Sequence, residues 1–98
     1  MTPEIAARLA ASEIQLAAQA KDYSMFVRGS CMALVHSAGD RFISIGSSGI
    51  LTENGLAYLV WIDGRAMLSS HGNQVAADEV QVEEIRGFSL MLKAALDL

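Results

Sequence analysis

The sequence predicts a single α+β domain: two N-terminal helices, a small antiparallel sheet of three to four strands, and a C-terminal helix packed on the sheet. Three observations carry this expectation. Apolar residues recur at helical spacing up to Ala38, the period changes to two after Gly39, and helical spacing returns after Asp78. At 98 residues the chain is long enough for one core and too short for two, so residues 1–98 are expected to form one domain.

Thr2 is a good N-cap, Pro3 suits a first helical position, and Glu4 lies at the positive end of the helix dipole. A helix is therefore expected from about Pro3 to Lys21. It carries one stripe of Ile5, Leu9, Ser12, Leu16 and Ala20, and a second, opposite stripe of Ala7, Ala11, Ile14 and Ala18. Two apolar stripes fit a helix held between layers, which makes Ala7, Ala11, Ile14 and Ala18 a candidate interface with a second subunit. From Asp22 to Ala38, Met25, Phe26, Gly29, Met32 and Ala33 favour a second helix, while Cys31 to Val35 also fits a buried strand.

Beyond Gly39, Phe42-Ile43-Ser44-Ile45, Leu56 to Ile62 and Ala66 to Ser70 read as strands, and Asp63-Gly64 is a hairpin turn between the last two. Leu56 to Ile62 is apolar almost throughout, the pattern of a strand covered on both faces. Asn54-Gly55 is a further turn, and Gly46 to Gly49 interrupts the ladder before Ile50-Leu51. Asp78 reads as the N-cap of a last helix reaching about Leu96, with a core stripe of Val82, Ile85, Ser89, Leu92 and Leu96 flanked by Phe88. Leu90 and Met91 fall outside that stripe and are candidate contact residues.

Composition narrows the functional classes. An apolar fraction of 52% argues against disorder. With Cys31 alone there is no intramolecular disulfide, and with neither a leader nor a membrane span apparent the expected setting is the cytoplasm. The net charge of −4 lies entirely in the second half, where seven acids face three bases. That balance opposes direct nucleic-acid binding, which draws on clustered Lys and Arg.

Chemistry-bearing groups are few. Cys31 and His36 would be about 140° apart on a helix, poorly placed as a nucleophile and base. With His71 they make no zinc signature, so no metal, cofactor or catalytic residue is expected. The Gly46-Ser47-Ser48-Gly49 stretch admits an anion-binding loop but lacks the lysine of a phosphate loop and a clear following helix. Asp78, Glu79, Glu83 and Glu84 are the densest acidic cluster. Such a cluster complements a helix dipole and solvates a face, and it also fits a basic groove on a partner.

Ser70-His71-Gly72-Asn73-Gln74-Val75-Ala76-Ala77-Asp78, leading into Ile85-Arg86-Gly87-Phe88-Ser89, resembles a segment of small phage-encoded anti-CRISPR proteins that inhibit type I surveillance complexes. The resemblance covers under a third of the chain. It implies a tight protein ligand that presents carboxylates in the manner of a phosphate backbone, with Asp78 and Glu83 at matching acidic positions. Val80, Gln81 and Val82 depart from the denser Asp of that pattern. The expectation is thus a non-enzymatic inhibitor or adaptor that binds a protein or nucleoprotein complex through Asp78, Glu79, Glu83, Glu84, Leu90 and Met91. The alternatives are a homodimeric accessory domain and a small-anion or nucleotide binder using Gly46 to Gly49.

Overall fold

The computed structural model describes all of residues 1–98 and holds one seven-stranded antiparallel sheet with two helices. In chain order these are α1 (Pro3–Ala11), β1 (Gln15–Gln19), β2 (Tyr23–Arg28), β3 (Cys31–Ala38), β4 (Arg41–Thr52), β5 (Gly55–Ile62), β6 (Arg65–Ser70), β7 (Asn73–Ala76) and α2 (Glu79–Leu96). The strands lie in sequence order from β1 to β7, each paired with the next. The expectation of two N-terminal helices over a three- to four-stranded sheet is overturned.

α1 begins as expected: the Thr2 hydroxyl accepts the Ile5 N–H at 3.2 Å. It ends ten residues early. Ser12 caps it, Glu13 takes a φ of 58°, and the Ile14 N–H donates to the Leu9 carbonyl at 2.9 Å. The turn drops Ile14 into the core, where it is 4% exposed. Burying a whole isoleucine is worth roughly 1.5–3 kcal/mol, more than the small helical preference of the alanines around it. The proposed stripe therefore does not exist as one surface. Ala7 and Ala11 are exposed on α1, Ile14 is inside, and Ala18 lies on the exposed edge strand β1.

The second expected helix is a hairpin of β2 and β3, turning at Gly29 with φ 59°. Cys31, Met32 and Ala33 are buried in succession, so this strand has no alternation to show. Its two faces are both apolar, which mimicked a helical period.

The turns at Asp63-Gly64 and His71-Gly72 have positive φ at both central residues, the primed geometry that matches strand twist. β4 runs straight through the expected break at Gly46 to Gly49. It pairs with β3 along most of its length, with register shifts opposite Ala33/Val35 and His36/Ser37, but with β5 only over Gly49 to Thr52. Small residues are needed here for close approach. A Cβ on Gly49 would collide with the Ala57 carbonyl of β5, and one on Gly46 would press on the His36 ring and the Leu34 carbonyl. Gly46 to Gly49 is sheet, not an anion-binding loop.

α2 starts at Asp78 as expected. The Asp78 carboxylate accepts the Gln81 N–H at 2.8 Å, and Gln81 Oε1 accepts the Asp78 N–H at 3.0 Å, forming a capping box. Ile85, Phe88, Leu92, Ala95 and Leu96 pack on Phe26, Ala33, Val35, Ile50, Ala57 and Leu68, with Leu9 and Ile14 closing one end. Arg8 Nε donates to the Ala95 carbonyl at 2.9 Å and satisfies the C-terminal end of α2. Both helices lie on the same side of the sheet.

Gly87, within α2, has open space at its Cβ position. Gly87→Ala should raise stability by about 1 kcal/mol through helix propensity, seen as a melting temperature about 4–8 °C higher. Gly49→Ala should lower stability by roughly 1–3 kcal/mol or more, because the obstacle is backbone. Equal effects at the two glycines in thermal unfolding would contradict this assignment.

Candidate functional site

One row of cross-strand neighbours spans the entire sheet: Gln15, Val27, Met32, Gly49, Tyr58, Ser69 and Gln74. Side chains alternate between faces along each strand, so this row marks the face turned away from the helices. Met25, Leu34, Val60, Ile62 and Met67 stand on the same face by register. Met32 is fully buried yet stands apart from the helix-side core, enclosed by its own face. Tyr23 and His36 are paired at one corner, with ring centroids 4.6 Å apart. At another corner Ile62, Asp63, Arg65, Met67 and Gln74 line a shallow cleft of about 440 Å³.

Both helices pack on the opposite side from this face. α1 packs on α2, and α2 packs on β3 and β4 from the other side. The surface has an apolar centre rich in methionine and tyrosine, with Gln15, Gln74, Ser69 and Arg65 toward its margins. Methionine and aromatic enrichment inside a polar rim is the anatomy of a protein interface. Sequence reasoning did not name this surface. Its one signal was the unbroken apolar run from Leu56 to Ile62, which demands cover on both faces.

The residues singled out from the sequence fall elsewhere. Glu83, Glu84 and Met91 are brought together around a cleft of about 420 Å³ with Arg28, Cys31 and Phe88. Met91 is half-buried against the core, so it is in part a packing residue and not a free contact. Glu79 is exposed at the start of α2, and Asp78 is committed to the capping box. Leu90 is 69% exposed on the outside of the helix. Arg86, unremarked in the sequence as a contact, lies 5.0 Å over the Trp61 ring and shields part of it.

Cys31 and His36 stand on opposite faces of β3, so no thiolate–imidazole pair forms. The Cys31 Sγ donates to the Glu84 carbonyl at 3.8 Å. Burial, with the Glu84 carboxylate adding to it, pushes the thiol pKa up, and Arg28 offsets only part of this. No three His, Cys, Asp or Glu side chains converge in a geometry able to hold a metal ion. No helix is long and apolar enough to cross a membrane. Comparison with protein-family models, curated proteins and solved structures gives no match.

The raised Cys31 pKa has a definite sign. The folded state favours the neutral thiol, a contribution present below the ordinary thiol pKa and lost as pH rises through the folded value. Alkylation of Cys31 at mildly alkaline pH should therefore be much slower in the native protein than in urea. Equal rates in the two states would show that the thiol is neither buried nor held neutral.

Proposed function

We propose that this chain is a non-enzymatic protein-binding domain, an adaptor or inhibitor, and that the uncovered sheet face is its binding surface. The observation that carries this reading is the face itself: a surface with an apolar centre of Met25, Val27, Leu34, Tyr58, Val60 and Met67, opposite the side on which α2 packs. Contiguous apolar patches of this extent mark interaction sites. A broad face with one shallow corner cleft suits a protein better than a small molecule, which prefers an enclosed pocket. The chemistry on the chain points the same way. Cys31 is held as a thiol behind α2, and His36 packs at a tilt against Tyr23.

A second reading rests on α2, where Glu79, Glu83 and Leu90 are exposed on the solvent side of the helix. It corresponds to an inhibitor that offers carboxylates to a basic groove, as the anti-CRISPR resemblance implies. The two readings use opposite sides of the molecule.

A photoreactive phenylalanine analogue placed at Tyr58, and separately at Leu90, distinguishes them in cells that produce the protein. Under the leading reading, the Tyr58 position yields a discrete cross-linked species and the Leu90 position does not. Cross-linking at Leu90 with none at Tyr58 would replace the sheet face by the acidic helix.

A further inference from the structure

Building on that reading, we infer that the occupant of the uncovered face is a second copy of this chain, packed sheet against sheet about a twofold axis. Charge placement is the first support. No strand contains an Asp or Glu; all eleven acids lie in turns, in the helices or at the chain's last residues. A chain of net charge −4 repels its own copies wherever its acids meet, and the acid at the edge of this face, Asp63, lies in the corner cleft beside Arg65. Register places Arg65 and Arg41 at the margins of the face.

Area is the second support. Seven strands about 4.8 Å apart, with about five residues of each at roughly 3.4 Å per residue, give a footprint on the order of 550 Å². Two such faces in contact remove more than roughly 1,000 Å² from water, the size at which specific interfaces begin. A twofold contact needs only one self-complementary patch, and an apolar centre with a polar rim meets that condition. Packing at the usual sheet separation of about 10 Å interleaves Val60, Met67 and Tyr58 with their counterparts and covers the open side of the Leu56 to Ile62 strand.

Sedimentation velocity on the full chain across micromolar concentrations tests this. The unaltered protein should sediment at twice its 10.5 kDa chain mass. Val60→Glu should weaken association by roughly 100-fold or more, since it buries unpaired charges, while circular dichroism stays native. Leu90→Glu, on the helix side, should leave the dimer intact. If Val60→Glu fails to fold, Met67→Lys, one strand nearer the edge, takes its place. A monomer at every concentration, or a dimer indifferent to both substitutions, overturns the inference. The two proposals also fail separately. A monomer whose Tyr58 cross-linker captures a different protein sinks the second copy and leaves the binding face, whereas a monomer with no Tyr58 cross-link removes both.

Discussion

β4 is the strand on which the rest of the structure depends. Its twelve residues pair with β3 from Arg41 to Ile50, and only Gly49 to Thr52 pair onward with β5. The sheet is therefore two ladders joined through a short overlap, and that overlap requires a residue without a Cβ at Gly49. α2 reinforces the joint. Ile85, Phe88 and Leu92 pack on residues from both ladders, Val35 and Ile50 on one side and Ala57 and Leu68 on the other, and the Ser89 hydroxyl bonds that of Ser48 at 2.7 Å. Losing the β4–β5 register would take Ala57 and Leu68 out of the core that α2 completes.

That arrangement explains why both helices end on one side. α2 enters straight from β7 through the Asp78 capping box, and α1 is held to its far end by Arg8 on the Ala95 carbonyl. A two-layer domain of this kind satisfies one face of its sheet only. The other face is as apolar as a core strand at Tyr58, Val60 and Met67, and the chain has no third layer to give it.

The legible parts of the fold were those with local chemistry. Thr2 with Pro3, Asp78 at the start of α2, and Asp63 with Gly64 each act through neighbours within a few residues, and each marks its turn or helix start correctly. The long first helix failed at Ile14, because a distant core drew that residue inward against the helical preference of its neighbours. β2 and β3 were obscured because Cys31, Met32 and Ala33 are buried in succession, which leaves no alternation to read. β7 is four exposed residues, Asn73 to Ala76, with neither alternation nor branched side chains except Val75. The candidate surface was legible only in part: the apolar run of β5 announced a layer on each side, but which side the chain leaves open depends on register, and register is a property of all seven strands together.

If the face opposite the helices is the binding surface, it is interior in the assembled protein. Methionine methyl resonances measure this directly, because Met25 and Met67 stand on that face while Met1 is exposed at the chain start. With a soluble paramagnetic agent added, the broadening of the Met25 and Met67 methyl signals relative to that of Met1 should fall as the protein is concentrated from monomer to assembly. Relative broadening of Met25 and Met67 that stays the same at every concentration would show the face open to water and would contradict the account.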